Sequence, residues 1–377
     1  MLPIDERPFA PLAPSLRRRM GVTLSVLITV IIGLTIAVGQ RAAPATGARG
    51  GAPGAPAGVL FLRNPGQAAE LWIADASGGQ ARMLAPAVSD YSSSPDGTRI
   101  IYSTQTQAAP SRIDIVDRTT GATRAVLQSA EFAALGPVWS PASGPGVIVY
   151  ERRTVLGPGS GSPKLWLMKE DGTDLGAVIR GGDVVAYGAK WSPDGSKLAF
   201  VDPLRSEIVL FNFSNQLRRL PFNGDFDWAP DSARLVVSAF PISAEGVGAS
   251  QLFLYDLATE SRQPLFASPD SNDSMPAWSP DGSRIAFVRR TRNDPQGTLW
   301  VGTPADGQAR SLNQDAPPAE ARFADTDPQW SPAGDQLIWT RLAIGVQAPP
   351  AVWRATIGAA APPSVWIENA QQARWIK

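Results

Sequence analysis

The sequence predicts an all-β protein: a seven-bladed β-propeller with four-stranded blades, closed by the C-terminal strand and preceded by one N-terminal transmembrane helix. Three observations lead to this prediction. A Trp-Ser-Pro-Asp-Gly hairpin recurs in six copies, a second hairpin pattern recurs seven times around those copies, and an uncharged apolar run lies near the N-terminus. Repeats of roughly 40 to 50 residues are typical of propeller blades.

The apolar run extends from Met20 to Val38 without a charged residue. As a helix it is about 28 Å long, close to the roughly 30 Å of hydrocarbon in a bilayer. Three arginines immediately precede it, so the positive-inside tendency predicts residues 1–19 as a cytoplasmic basic segment and the rest of the chain as exported. We therefore predict a single-pass signal anchor in the cell membrane, at 20–38. The alternative is a signal peptide cleaved near Gly39, after small residues.

Residues 39–57 consist mostly of Ala, Gly and Pro. A segment without apolar side chains cannot offset the entropy lost on ordering, so we expect a mobile linker. Its random-coil span is roughly 24 Å. The predicted propeller, residues 58–377, therefore stands clear of the membrane on its periplasmic or extracellular side.

The first repeat reads as a strand, a turn and a second strand. In "WSPDGSRIAFV", which begins at Trp278, Ser accepts hydrogen bonds at the first turn position and Pro fixes φ at the second. Gly takes the left-handed position, and the apolar run after it is rich in strand-forming residues. The prolines of the six copies are Pro95, Pro141, Pro193, Pro230, Pro280 and Pro332.

The two ends of the predicted propeller complete each other. Residues 58–63, "GVLFLR", read as the second strand of a hairpin that lacks its first strand, and the C-terminal "ARWIK" aligns Trp375 with Trp191. Pairing these ends gives a seventh complete blade and leaves no long sheet edge exposed. Ser93 stands in the Trp position of the second blade. The tryptophans predicted to pack between blades are Trp139, Trp191, Trp228, Trp278, Trp330 and Trp375.

This pattern resembles the TolB-like β-propellers, a branch of the WD-type repeat class whose blades carry a Trp-Ser-Pro-Asp-Gly hairpin. The resemblance covers residues 58–377. Ala142, Ala333 and Ser232 depart from the motif and put turn details in doubt. The resemblance implies a periplasmic interaction module linked to envelope integrity.

Composition argues against several classes of function. Because 34 Lys and Arg balance 34 Asp and Glu, no basic excess indicates nucleic-acid binding. The chain has no Cys for a disulfide or a thiolate metal site, and no His, the commonest general base and metal ligand. It also lacks a Gly-x-Ser-x-Gly elbow and a phosphate loop. The sequence therefore predicts no enzyme, no catalytic residues, no metal and no cofactor.

A set of carboxylates precedes the predicted innermost strands, whose entry loops ring one mouth of a propeller channel. Together they predict an acidic rim that attracts a cation or a basic segment of a partner. The alternative is seven independent loop aspartates that cap turns in solvent. The rim residues are Asp90, Asp183, Asp225, Asp227, Asp273, Asp325 and Asp327. The motif aspartates are interpreted as turn formers: Asp96, Asp194, Asp231 and Asp281.

We predict from these features a monomeric, membrane-anchored extracytoplasmic scaffold that binds a protein or peptide at one mouth of the channel. Two alternatives stay open. One is a carbohydrate-active lyase or hydrolase of propeller fold, in which paired carboxylates act as acid and base. The resemblance implies His and a metal in propeller lyases, so the missing His weighs against it. The other is a module that binds a surface polysaccharide through exposed aromatic side chains.

Overall fold

The computed structural model describes residues 58–376 apart from 65–68, 107–108, 155–161, 181–183, 215, 223, 241, 244–245, 269, 292–295, 313–321 and 346. The predicted basic segment, membrane helix and linker, residues 1–57, lie outside the described residues. Within the described part, no helix has the length and apolar character needed to cross a bilayer.

Seven antiparallel four-stranded sheets form the blades, as predicted. The strands of each blade are given from innermost to outermost. Blade 1 consists of β30 (Gln371–Ile376), β1 (Gly58–Arg63), β2 (Glu70–Ala74) and β3 (Arg82–Ala85), and blade 2 of β4 (Val88–Ser93), β5 (Arg99–Thr106), β6 (Ala109–Asp117) and β7 (Thr123–Ser129). Blade 3 consists of β8 (Phe132–Trp139), β9 (Ile148–Thr154), β10 (Pro163–Met168) and β11 (Asp174–Ala177), and blade 4 of β12 (Tyr187–Trp191), β13 (Lys197–Asp202), β14 (Glu207–Asn212) and β15 (Gln216–Leu220).

In the same order, blade 5 consists of β16 (Phe226–Trp228), β17 (Arg234–Ala239), β20 (Gln251–Asp256) and β21 (Arg262–Leu265). Blade 6 consists of β22 (Asn272–Trp278), β23 (Ile285–Arg290), β24 (Thr298–Thr303) and β25 (Gln308–Ser311), and blade 7 of β26 (Phe323–Trp330), β27 (Gln336–Ala343), β28 (Ala351–Thr356) and β29 (Ser364–Glu368). A small extra hairpin, β18 (Ile242–Ser243) with β19 (Gly246–Val247), extends from blade 5 between its second and third strands.

The two ends of the described chain close the ring, as predicted. In blade 1 the sheet order is β3-β2-β1-β30, with Gly58 opposite Ile376 and Val59 opposite Trp375. The Tyr91 hydroxyl of blade 2 donates to the carbonyl oxygen of Leu60 at 3.1 Å. Blade 1 is thus held by its own sheet and by its neighbour.

The motif turns have the predicted geometry. In blade 6, the Gly282 amide donates to the Ser279 carbonyl at 2.9 Å, and Gly282 has φ +73°. The Asp281 carboxylate accepts from the Ser283 amide at 3.0 Å. These aspartates therefore fix the turn, which supports their interpretation as turn formers.

The tryptophans of the innermost strands pack in the core between blades. Trp191, Trp228, Trp278 and Trp330 are buried, while Trp139 and Trp375 are half-buried. The Trp228 indole donates to the Lys190 carbonyl of the preceding blade at 3.1 Å. The Trp330 indole contacts the preceding blade in the same way. Trp228 and Trp330 therefore contribute both apolar contact and hydrogen bonds across the blade boundaries.

Candidate functional site

The two faces of the ring are built differently. One face, here called the turn face, carries the motif turns and the connections from third to outermost strands, which are short and similar in every blade. The opposite face, the loop face, carries the connections from second to third strands and from each blade to the next. Its segments differ widely in length, from 86–87 to 240–250, which includes the β18–β19 hairpin.

Two large apolar side chains are exposed on the loop face. Leu204 lies two residues after the end of the second strand of blade 4 and is 66% exposed, and Phe240 directly follows the second strand of blade 5 and is 41% exposed. Because their blades are neighbours, both belong to one sector of this face. Exposed apolar side chains grouped at a variable surface are typical of interaction sites.

The predicted rim carboxylates lie below this face, but not as an open solvated rim. Asp183 lies outside the described residues. Asp225 is half-buried, and the remaining five are buried: Asp90, Asp227, Asp273, Asp325 and Asp327. The physical reason is that side chains alternate between the two surfaces of a strand, and in these innermost strands both surfaces pack against protein.

Two of these carboxylates form bidentate ion pairs within their own blades. Asp273 lies directly opposite Arg289, with Nε and Nη2 each 2.7 Å from a carboxylate oxygen. Asp325 lies opposite Arg341 in the same way, at 2.7 and 2.9 Å. Burial raises the pKa of Asp273, and the hydrogen bonds and charge of Arg289 oppose that rise. These pairs stiffen the layer of innermost strands below the loop face, here called its floor. Their carboxylate oxygens have little hydrogen-bonding capacity left for a ligand.

Two other carboxylates pair across blade boundaries. Asp227 of blade 5 lies 3.3 Å from Nζ of Lys190 in blade 4 and accepts from the Trp278 amide of blade 6 at 2.9 Å. Asp327 of blade 7 accepts from Arg374 of the closing strand. These side chains hold successive blades together.

Asp90 and Asp225 form the last pair of the rim set. They occupy equivalent positions, three residues before Ser93 and Trp228 respectively. Each accepts a 3.0 Å hydrogen bond from a backbone amide of the next blade, Gly136 for Asp90 and Met275 for Asp225. These amides belong to β-bulges with φ near +55°. A side-chain oxygen therefore satisfies an amide that the bulge removes from the ladder.

Sequence reasoning missed a further carboxylate, Glu151, on the second strand of blade 3. Its Oε1 accepts from the Gly188 amide at 3.1 Å, and its Oε2 from Arg153 at 3.0 Å. Burial raises its pKa, and the Arg153 charge opposes that rise. Glu151 thus does for the bulge of blade 4 what Asp90 does for blade 3. A buried Glu in an apolar strand, "VIVYERR", was the available signal.

Sequence reasoning also missed a repeated stack of an Arg side chain on a Trp ring. In four blades an Arg near the end of the second strand lies over the Trp of the third strand, with guanidinium to ring-centre distances of 4.1 to 4.9 Å. Such stacks are favourable cation–π contacts. The pairs are Arg63 with Trp72, Arg152 with Trp166, Arg289 with Trp300 and Arg341 with Trp353. The recurring third-strand Trp was a visible signal for them.

The donor chemistry gives no ready-made metal centre. Among the described residues, no three Asp or Glu side chains are grouped as metal ligands, and the chain has no His or Cys. The exposed aromatic side chains of the described part are Phe213 and Phe240, which lie on opposite faces of the ring. They form no shared platform on which a sugar ring would stack.

Comparison with known proteins places the fold. No family model matches the chain. An uncharacterized peptidase of Bacillus subtilis, YuxL, is 27% identical over 117 residues, covering 31% of this chain and 17% of that protein. A prolyl endopeptidase structure matches with a TM-score of 0.62 at 14% identity, covering 96% of this chain and 56% of that one. TolB from Acinetobacter baumannii matches with a TM-score of 0.50 at 16% identity, covering 85% and 66%.

The chain spans at most 66% of the length of these three proteins. At such identities the structures establish the fold alone, and that fold is a TolB-like seven-bladed propeller, as predicted. The WD-type classification of the repeats stays a prediction.

The prediction that the chain is not an enzyme was wrong. Its relative is named as a peptidase, and the matching structures include the prolyl endopeptidase. They also include an acylaminoacyl peptidase, an oligogalacturonate lyase and a periplasmic gluconolactonase of Pseudomonas aeruginosa, at 14 to 17% identity and with TM-scores of 0.55 to 0.57. This propeller fold therefore occurs in enzymes, and the missing His and nucleophile motif did not justify excluding that class.

Proposed function

We propose that this chain is an extracytoplasmic propeller that binds a polypeptide segment at its loop face. The observation that carries the proposal is the difference between the two faces. The turn face repeats one short turn, whereas the loop face has connections of widely different length, an extra hairpin and the exposed Leu204 and Phe240. Variable loops on a rigid scaffold are where propellers and other repeat folds carry binding.

The chemistry of this face suits a polypeptide with apolar side chains. Leu204 and Phe240 supply apolar contact, and the buried pairs Asp273–Arg289 and Asp325–Arg341 keep the floor rigid. A preorganised floor lowers the entropy lost on binding. The names of the peptidase relative and of the matching endopeptidase refer to proteins that act on peptides, which supports the same class of ligand.

The proposal includes the membrane anchor at 20–38. The second strand of each blade starts at the turn face, so the linker predicted at 39–57 joins the propeller there, at Gly58. A flexible tether attached to the turn face, with a reach of roughly 24 Å, leaves the opposite, loop face unobstructed by the linker. That attachment suits a partner outside the membrane.

The first test removes the apolar side chains of the loop face. The full chain in detergent micelles is titrated with fluorescent peptides from an array of apolar and polar 12-residue sequences. We expect Leu204→Ser with Phe240→Ser to weaken peptide binding at least about tenfold, because the loss of two apolar contacts at an interface is worth over 1.4 kcal/mol. The matched control is Leu217→Ser, an exposed apolar residue on an outermost strand of blade 4. Equal peptide binding by the wild type, the Leu204→Ser/Phe240→Ser variant and the Leu217→Ser control contradicts the proposal.

The same samples address enzyme activity. Bound peptides are analysed by mass spectrometry after incubation, and a cleavage that the Leu204/Phe240 variant loses assigns turnover to the loop face. If the peptides bind but remain intact, the loop face has a binding role, and any reaction belongs to a partner or to a larger assembly. Turnover of an oligosaccharide by a chain that binds no peptide overturns the proposal in favour of a carbohydrate-active enzyme.

A further inference from the structure

The four stacked arginines occupy the same position of the second strand in their blades. Each lies four residues after the residue that pairs with the Trp of the innermost strand. They are Arg63 of blade 1, Arg152 of blade 3, Arg289 of blade 6 and Arg341 of blade 7. The repeat therefore allows the surroundings of the four guanidinium groups to be compared position by position.

The residue opposite this arginine on the innermost strand differs between blades. In blades 6 and 7 it is an acid, Asp273 and Asp325, and each acid accepts two hydrogen bonds from its arginine. In blade 3 the residue opposite Arg152 is the buried Ala134. In blade 1 the innermost strand has no residue paired with Arg63. Blade 3 thus keeps the strand position and the arginine but lacks the acid.

The side chain of Arg152 is positioned in the same way as that of Arg341. Its guanidinium carbon lies 3.6 Å from the ring centre of Phe132 on the innermost strand and 4.4 Å from that of Trp166 on the third strand. The corresponding distances from Arg341 to its two rings are 3.9 and 4.1 Å. These cation–π contacts hold the guanidinium in place before any ligand arrives.

The hydrogen-bonding groups of Arg152 have no acceptor within the described part of the chain. No carboxylate there forms an ion pair with Arg152, and no other group accepts a hydrogen bond from its side chain. The side chain is only partly buried, and none of its nitrogens is a buried atom without a partner, so these nitrogens reach solvent. Arg152 therefore presents to solvent the planar set of donors that Arg289 and Arg341 direct to an acid.

The charges around Arg152 favour an anion. Lys164 lies directly opposite Arg152 on the third strand, is exposed and forms no ion pair with the described residues. Glu151 is bound to Arg153, so these two charges compensate each other. Glu131, which precedes Phe132, is exposed and forms no ion pair with Arg152 or Lys164. Two cations are thus available on this side of blade 3.

We propose that Arg152 binds a carboxylate of the polypeptide at the loop face, in the place that an Asp of the same blade fills in blades 6 and 7. This inference rests on the proposed peptide-binding function and names a ligand group for it. Arg152 lies near the end of β9 at the loop face, one blade from Leu204. The side chain of an Asp or Glu and a free C-terminal carboxylate share the required chemistry, which is two oxygens for a bidentate pair.

The experiment compares peptides that differ only in a carboxylate. The full chain in detergent micelles is titrated with apolar 12-residue peptides that carry a fluorophore at the N-terminus. Each peptide is made in a neutral form with a C-terminal amide, a form with one Gln replaced by Glu, and a form with a free C-terminal carboxylate. We expect one carboxylate form to bind at least about tenfold more tightly than the neutral form at low salt. A preference for the Glu form assigns an acidic side chain, and a preference for the free C-terminus assigns the C-terminal carboxylate.

Substitutions of Arg152 test whether it is the binding group. Arg152→Gln removes the charge and should abolish the preference for the carboxylate form while leaving the affinity for the neutral peptide unchanged. Arg152→Lys should restore only part of the preference, because an ammonium group cannot make the bidentate contact. Arg180→Gln is the matched control, since Arg180 is an exposed cation on the connection from blade 3 to blade 4, and it should keep the preference.

Ala134→Asp supplies the missing acid from within the chain. It should reproduce the ion pair of blades 6 and 7, occupy Arg152 and abolish the preference for the carboxylate form. The thermal unfolding midpoint should stay the same or rise. A purely structural role of Arg152 predicts instead that Ala134→Asp leaves the peptide preference unchanged.

An equal preference in the wild type and Arg152→Gln overturns the proposal, as does equal binding of the three peptide forms by the wild type. In both cases, binding of the neutral peptide leaves the peptide-binding function standing. If no peptide binds, sodium propionate is compared with sodium chloride at equal ionic strength. A midpoint that propionate raises in the wild type but not in Arg152→Gln supports the carboxylate site, and equal midpoints overturn it. If Ala134→Asp does not fold, Arg152→Gln and Arg152→Lys decide.

Discussion

At the scale of single residues, the buried carboxylates of the innermost strands differ in how their charge is compensated. Asp325 accepts hydrogen bonds from Nε and Nη2 of Arg341, from the Trp339 indole and from the Leu299 amide of the preceding blade. Asp90 accepts hydrogen bonds from two neutral donors, and no Lys or Arg of the described residues forms an ion pair with it. Asp325 thus has a cation beside it, whereas burial without such a cation raises the pKa of Asp90 and makes its charge dependent on pH.

The Asp325–Arg341 pair should therefore be sensitive to loss of its cation. Arg341→Met keeps much of the apolar stem that packs near Phe323 and Trp353 but leaves a buried charge unpaired. We expect a loss of about 3 to 5 kcal/mol in the free energy of unfolding, measured by tryptophan fluorescence in urea. The control Arg234→Met removes the exposed pair with Asp231 and should cost less than about 1 kcal/mol. Similar losses in the two variants would show that burial does not govern these pairs.

Asp90 should make the stability of the fold decrease as pH rises. Its pKa is about 7 in the folded chain and about 3.9 in the unfolded chain, so between these values the folded state holds a proton that the unfolded state releases. Stability is then greatest at the acidic end of this window and falls by up to about 1.4 kcal/mol per pH unit towards neutrality.

Asp90→Asn should remove most of that slope between pH 5 and pH 7, as measured by urea unfolding at intervals of half a pH unit. Glu151 also has a raised pKa and leaves a residual slope of the same sign. Asp225→Asn, at the equivalent position of blade 5, is compared in the same series. A slope in Asp90→Asn as steep as in the wild type would mean that Asp90 is ionised throughout this range.

At the scale of strands and hairpins, local sequence was informative where local geometry decides the outcome. The motif turn depends on Ser, Pro, Asp and Gly within a few residues, and Gly282 and Asp281 behave as those residue types require. The position of Trp375 opposite Val59 followed from the same repeat, because an alignment of copies also aligns their strands. Fold and closure were therefore predictable.

The carboxylate set was harder to predict because its surroundings come from other strands and blades. Asp273 and Arg289 are 16 residues apart and meet only through the hairpin register. Asp90 meets Gly136 across a blade boundary, and a β-bulge decides which amide points at it. The repeats predicted that these aspartates precede the innermost strands, whereas five of them lie within those strands. The repeats also did not show which surface of the strand each side chain faces. A bulge shifts that alternation by one residue.

At the scale of the whole molecule, the ring is held shut by one strand pair between the ends of the described chain. β1 and β30 pair with a register shift between Leu60 and Leu62, as the innermost strand pairs of five other blades also do. Every other blade is formed from a single continuous stretch of chain. Because blade 1 alone joins distant parts of the sequence, the entropy lost on closing the ring is concentrated there.

A covalent link across this pair should therefore stabilise the entire propeller. Leu62 lies directly opposite Gln371, and opposed residues of antiparallel strands have Cα separations of about 4.5 to 5.5 Å, which a disulfide accepts. The chain has no Cys of its own, so Leu62→Cys with Gln371→Cys can form a single bond. We expect the oxidised form to be more stable to urea than the reduced form of the same protein by roughly 2 to 4 kcal/mol. Comparing the two redox states of one variant cancels the cost of replacing the buried Leu62. If both states unfold at the same urea concentration, ring opening at blade 1 does not limit the stability of this propeller.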